Sequence, residues 1–171
     1  MSARLAAVVM GVAGSGKTSL GQALAARLGI AFVDGDALHG ERNVSKMRAG
    51  IPLDDADRAP WLARVAKVLA DREAYPQGVI VACSALKRAY RERIRAGAAG
   101  CRFLYLALSA DEAALRVSQR PGHFMPAGLV ADQFAALEAP AADEVDVVTL
   151  DAARPLERLV GSSVALLANA A

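Results

Sequence analysis

"MGVAGSGKTSL", Met10 to Leu20, is the stretch that decides the fold. A glycine, four residues and then Gly16, Lys17 and Thr18 complete the spacing of a phosphate-binding loop, and the apolar run Leu5 to Met10 just before it reads as a strand. Strand, glycine loop and helix follow in that order. Gly11, Gly14 and Gly16 lack the Cβ atoms that would obstruct a tight loop, so the backbone N–H groups across Val12, Ala13, Gly14, Ser15, Gly16, Lys17 and Thr18 can turn inward onto an anion. Lys17 then reaches the β- and γ-phosphates of ATP, the Thr18 hydroxyl ligates Mg²⁺, and the following helix presents its positive end.

Outward from this loop, the chain of 171 residues fits one domain, residues 1–171, that must hold both a nucleotide and whatever receives its phosphate. Hydrophobic residues make up 54%, yet no apolar run approaches the length that crosses a bilayer, so no membrane partner is expected. The start of the chain runs straight into the first strand without an export-signal pattern, and Cys83 and Cys101 sit in strand-like sequence as reduced core residues; both features predict a cytoplasmic protein. A net charge of +2 gives no support for nucleic acid as the main partner.

Apolar β-rich runs recur at Leu5–Met10, Ala31–Val33, Val79–Cys83, Phe103–Leu108 and Val145–Leu150, with helical patterns between them. That alternation predicts a three-layer α/β/α fold around a five-stranded parallel sheet. Helices are expected over Thr18 to Leu28, closed by Gly29, from Pro60 to before Pro76, over Lys87 to Ala96, over Ala110 to Arg120, and from about Pro155 onward. "RPGHFMPA", Arg120 to Ala127, reads as a loop.

After the second strand comes "VDGD". Asp34 and Asp36 can both face the ligand edge of the sheet, where a carboxylate can accept a proton from an attacking hydroxyl or hold a magnesium's water. Asp-Gly-Asp is equally ordinary turn chemistry, and the residues alone leave both readings open. The stretch from Asp34 to Leu62 then collects His39, Arg42, Asn43, Lys46, Arg58 and Trp61. Its blocks "HGERNVSKM" and "GIPLDDADRAPWL" closely resemble the bacterial gluconokinases, small phosphate-loop kinases related to the shikimate kinases. The resemblance continues through "CSALKRAYR" (Cys83 to Arg91), "GHFMP" (Gly122 to Pro126) and "QFAALEAP" (Gln133 to Pro140), nearly the whole chain. Gly40 departs from it, standing where proline is expected in many relatives.

The resemblance implies ATP-dependent phosphorylation of D-gluconate at its 6-hydroxyl, giving 6-phosphogluconate and ADP, with residues about 34–62 as the acceptor segment and a nucleoside-monophosphate-kinase-like lid at about 116–130. Gluconate needs cations at its carboxylate end and a base at its reacting hydroxyl. Asp36 is assigned as proton acceptor, and Asp34, His39 and Asn43 as partners of hydroxyls. The cations Arg42, Lys46, Arg58, Lys87 and Arg91 are candidates for the carboxylate. Lys87 and Arg91 share a helical face at the ligand edge of the sheet, whereas Arg93 and Arg95 read as a solvated stripe. Arg116 and Arg120 bracket the lid, with Arg120 neutralising charge on the transferring group, and His123 can touch substrate on closure, although a lone loop histidine is more often solvated. The resemblance also implies that Arg116 and the turn ending at Pro155 sandwich adenine, and that the protein is a homodimer. Two rivals are another small-molecule kinase of the shikimate or nucleotide kinase group and a nucleotide-switch binding protein. The switch is disfavoured because "VIVACSAL" lacks the terminal aspartate typical of switch proteins.

Overall fold

The computed structural model describes residues 4–121 and 127–169. Five strands, β1 (Leu5–Met10), β2 (Ala31–Asp34), β3 (Gly78–Ala82), β4 (Arg102–Ala107) and β5 (Val147–Asp151), lie in the order β2-β3-β1-β4-β5. All pairings are parallel, which obliges the chain to cross back between successive strands. The crossovers are helical, α1 (Lys17–Leu28), α2 (Glu41–Arg48), α3 (Asp55–Ala70), α4 (Arg88–Gly97), α5 (Ala110–Ser118) and α6 (Ala127–Ala136), and α7 (Leu156–Ala168) follows the last strand.

Strand periodicity sorts the core into two layers. From β1, Val8 and Met10 point one way, to Trp61, Leu62 and Val65 of α3 and Tyr90 and Ile94 of α4. Ala7 and Val9 point the other way, to Leu20 and Leu24 of α1 and Leu159 of α7. With both faces covered, β3 is buried at every position, which is why it reads as an unbroken apolar run rather than an alternating one. Each large side chain so enclosed contributes roughly 1.5–3 kcal/mol. The sheet's order reverses at β1, between β3 and β4, so the phosphate loop leaves the sheet at its topological switch point.

Two boundaries and one helix differ from expectation. Helix α3 begins at Asp55 and carries Pro60 inside it, because Asp54 and Asp57 form a reciprocal capping box: the Asp57 N–H donates to Asp54 Oδ1 at 2.7 Å and the Asp54 N–H to Asp57 Oδ2 at 3.1 Å. Proline at that depth forfeits the bond to the carbonyl four residues back, and the cap offsets part of the loss. Strand β5 begins at Val147 because Ala141 to Val147 is drawn into turns, leaving Val145 86% exposed. Helix α6 is an additional element, and it packs beside α5 against the tip of the phosphate loop through Val130 and Phe134. Cys83 and Cys101 are buried free thiols, as expected, and among the described residues no helix is long and apolar enough to cross a membrane.

Candidate active site

The phosphate loop is held at its root by the sheet. Gly11 donates its N–H to Ser84 O at 3.3 Å, and a Cβ added to it would come within 2.9 Å of the Leu106 carbonyl at a φ of +148°, so the loop can leave β1 here only through glycine. Gly16, the N-cap of α1, offers no side-chain cap, which leaves the first-turn N–H groups available to a ligand. Lys17 folds back over the loop, donating to Val12 O at 3.0 Å. Burial pushes its pKa down, Arg120 pushes the same way, and Asp36, Cys83 and Asp34 oppose them, with Asp36 the strongest of the three. A cation desolvated in this way gains from an incoming anion. Ser15 Oγ, buried in the same loop, has no hydrogen-bond partner among the described residues, which fits a loop that closes on phosphate. The Thr18 hydroxyl and the carboxylates near Lys17 are hard oxygen donors, few in number, as suits Mg²⁺ that keeps water and takes its other ligands from phosphates.

Across the cleft Asp-Gly-Asp forms a turn that gives its two carboxylates different surroundings. Asp34 Oδ1 accepts the Asp36 N–H at 3.0 Å and caps a 3₁₀ turn, Gly35–Leu38. Asp36 is exposed and faces the charge of Lys17. Gly35 is required between them, since a Cβ would meet Ala82 O at 2.3 Å. The turn is pinned from α3, where Trp61 Nε1 donates to Gly35 O at 2.7 Å and the indole stacks on His39 with centroids 4.3 Å apart. Asn43 Nδ2 donates to Asp57 O at 2.9 Å and lies 3.1 Å from His39 Nδ1. An amide nitrogen can only donate, so Nδ1 accepts and the imidazole carries its proton on Nε2. Burial lowers the His39 pKa, against the pull of Asp36 and with the push of Arg58, keeping the ring neutral. Asn43 therefore orients His39.

Arg58 and Lys87 flank the ring of Tyr90, 5.7 and 5.5 Å from its centroid. Arg58 donates to Leu53 O, while Lys87 Nζ lies 3.1 Å from Asp55 Oδ1, which also accepts from the Tyr90 hydroxyl. The bond from Tyr90, then that from Lys87, holds Asp55 below the usual carboxylate range, and the bond to Asp55 raises Lys87. Lys46 is 2.6 Å from the buried Asp57 and ties α2 to α3, whereas Arg42 reaches that carboxylate only at 3.6 Å and is largely solvated. Asp55, Asp57 and Tyr90 carry no motif of their own in the sequence; the "DDAD" run, Asp54 to Asp57, directly before Arg58 is the signal that marks the cap.

Arg91 is a correction. Instead of facing an acceptor it is 0% exposed, paired in a fork with Glu144 (Nη2 to Oε1 2.6 Å, Nε to Oε2 2.8 Å), and its remaining nitrogen donates to Ala85 O and Leu86 O. A guanidinium with its donors so committed has none left for gluconate. Its work is structural: Ala85 adopts φ +44°, a left-handed conformation costly to a residue with a Cβ, and the buried cation holds the carbonyls that turn the chain toward Lys87. Arg95 is likewise no solvated residue. It bridges Glu144 and Asp146 and lies over the Phe103 ring at 4.9 Å.

On the nucleotide side, Arg116 spans the space between the phosphate loop and the turn after β5, donating to Gly14 O at 3.5 Å and Ala152 O at 2.9 Å, with Glu112 at 3.0 Å. Pro155 ends that turn as the N-cap of α7, and Arg120 is exposed just past α5, close enough for its charge to act on Lys17. His123 and the centre of the expected lid, residues 122–126, lie outside the described residues.

Phosphate loops serve switches and kinases alike; the neutral histidine and paired cations gathered opposite Lys17 give a second substrate a place to sit, which is the mark of a phosphate-loop kinase. A family model described as an AAA domain matches residues 7–140. The chain is 50% identical over 137 residues to the gluconokinase of Gluconobacter oxydans, covering 80% of this chain and 77% of that protein. A crystal structure of a gluconokinase from Sinorhizobium meliloti superposes with a TM-score of 0.87 at 47% identity, covering 96% of this chain and 92% of the other. An APS kinase from Mycobacterium tuberculosis, at 22% identity and a TM-score of 0.68 over 96% of this chain and 98% of its own, shares the fold. The chain belongs to the gluconokinase family.

Proposed function

We propose that this protein phosphorylates D-gluconate at its 6-hydroxyl, using ATP and Mg²⁺ and releasing 6-phosphogluconate and ADP. One observation carries the reading: Asp36 is a charge neighbour both of Lys17 in the phosphate loop and of His39 on the acceptor side, so a single carboxylate stands where the two substrates meet. ATP lies with its phosphates on the loop from Gly11 to Thr18 and its adenine between Arg116 and the turn that ends at Pro155. Mg²⁺, held with the phosphates by the Thr18 hydroxyl, supplies neutralisation of phosphate charge.

His39 donates from Nε2 to a gluconate hydroxyl, and Arg58 and Lys87 take the carboxylate, with Arg42 at the solvated rim. Asn43 and Lys46 support this set through His39 and Asp57. Asp36 accepts the proton as the 6-oxygen bonds to the γ-phosphorus and the bond from that phosphorus to the bridging oxygen breaks, its electrons leaving on ADP. Lys17 and Arg120 meet the charge that spreads over the transferring group, and positioning provides the rest of the acceleration. A homodimeric assembly and a cytoplasmic location belong to the same reading.

The test is a steady-state assay with ATP, Mg²⁺ and a panel of sugar acids, shikimate and nucleoside monophosphates. Gluconate should support ADP formation well above background hydrolysis. If another member of the panel does so and gluconate does not, the substrate is wrong and only the kinase class stands.

A further inference from the structure

The segment from Gln133 to Glu138 belongs to neither substrate pocket, yet it is bonded to the wall of each. Gln133, on α6, accepts the N–H of Ala13 at the tip of the phosphate loop, at 2.6 Å from Oε1. Glu138, two residues past the end of α6, accepts the Arg88 N–H on its carboxylate at 2.9 Å and donates its own N–H to Leu86 O at 2.9 Å. Leu86 and Arg88 are the neighbours of Lys87. Between the two ends, Phe134, Ala136 and Leu137 pack with Val12, Ala13 and Leu86 in one small apolar cluster.

The chemistry at each end suits its task. The sequence leads one to expect the Ala13 N–H to turn inward onto an anion; it turns away from the loop instead, as a part-buried donor needing an acceptor of its own, and the Gln133 side chain on α6 supplies it. An amide accepts without placing a negative charge against a phosphate site; a carboxylate would repel the ligand. At the other end the preference reverses. Lys87 is the N-cap of α4 and makes no side-chain cap bond, so Glu138 caps that helix from a distant part of the chain, and a carboxylate is favoured at a positive helix end.

We propose that Gln133 and Glu138 are positioning residues that hold the phosphate loop and the Lys87 turn in one register, coupling nucleotide binding to acceptor binding. The acceptor half of this statement rests on Lys87 contacting gluconate; the nucleotide half does not. The test measures the affinity of a non-hydrolysable ATP analogue by calorimetry, with and without gluconate, together with both Michaelis constants. Gln133→Met keeps length and packing but removes the acceptor, and should weaken the analogue about tenfold. Glu138→Ala should raise the gluconate constant several-fold with little change in analogue affinity, and Glu138→Gln, which retains an accepting oxygen, should restore it. Any effect of gluconate on analogue affinity in the wild type should shrink in both Gln133→Met and Glu138→Ala. Analogue affinity unchanged in Gln133→Met overturns the proposal. Amide exchange in the wild-type protein gives a second measure independent of any variant's folding: slow exchange at Ala13 without nucleotide is expected, and exchange as fast as in open loops also overturns it. Absence of turnover with gluconate in the wild type would instead defeat the functional reading and leave the analogue measurements to decide the role of Gln133.

Discussion

Between Gly11 and Thr18 the loop is shaped by neighbouring residues of one short stretch, whereas across the cleft His39, Arg58 and Lys87 arrive from separate elements and each is set by a partner elsewhere: Asn43, Leu53 and Asp55. The first kind of site depends on where glycine allows the chain to turn. The second depends on which polar side chains have already been claimed. Nine residues past β3 and on the same helical face as Lys87, Arg91 is wholly claimed by Glu144 and two carbonyls, while Lys87 shares one exposed carboxylate. Cationic character therefore says little about function on the acceptor side; the inventory of partners says much.

The largest effect expected lies where the two regions meet. Asp36→Asn should lower turnover by a factor on the order of 10²–10⁴ with ATP binding and circular dichroism intact. Asp34→Asn should be mild, because asparagine also accepts the Asp36 N–H as a cap. A dead Asp34→Asn beside an active Asp36→Asn would reverse the two roles.

Arg91→Ala probes the claimed cations. It leaves the buried Glu144 with only the half-buried Arg95 as cationic partner and should cost about 3 kcal/mol of stability in urea unfolding, with the gluconate Michaelis constant of the folded fraction unchanged. A raised constant in a fully stable variant would return Arg91 to the acceptor site. The same pair sets an acid response. Arg91, chiefly, holds the Glu144 carboxyl down at about 2, so its stabilisation is complete above the unfolded carboxyl pKa of about 4.3 and is lost as pH falls from there through about 2. Arg91→Met/Glu144→Leu, which removes both charges, should lose this part of the acid dependence.

Lys87→Ala comes next. Because Lys87 is half-exposed and already shares Asp55, its loss should raise the gluconate constant on the order of tenfold while leaving the ATP constant alone. An equal rise in both would mean that the two regions are not separable at this residue.

Gly40→Pro should have the smallest effect. Gly40 has φ −74° and ψ 165°, and His39 before it is extended at φ −65° and ψ 139°, so both residues suit proline. A gain of about 0.4–1 kcal/mol in thermal unfolding is expected from the restricted unfolded chain. The ring must displace the tip of Arg64, 3.1 Å from a Cβ at Gly40, and a loss of stability would show that Arg64 cannot yield.

Much of the fold was legible because its signals are local. A buried parallel strand is a short apolar run, and each of the five lies within two residues of the structure's own bounds. Gly29, read as a helix stop, is a left-handed cap at φ 67°. The start of α3 differs from the sequence's expectation because proline is a strong punctuation mark while the capping box at Asp54 and Asp57 is a quieter one. On the acceptor side, Asp36, His39, Arg58 and Lys87 do converge, but Asp55, Tyr90 and Glu144, which decide how the cations are spent, lie up to 53 residues from their partners, and no spacing rule spans that distance.

What the sequence determined by itself was the phosphate loop, the order of strand and helix around it, and the family, since loop geometry follows from the conformational freedom of neighbouring residues. What only the tertiary structure decided was the fate of each charged side chain. Asp34 became a cap and Asp36 a free carboxylate; Arg91 and Lys46 became struts and Lys87 an accessible cation; Gln133 was set against Ala13. The physical reason is that a charge or an amide is defined by its nearest partner and its distance from water, and both are fixed only when segments far apart in the chain are packed together.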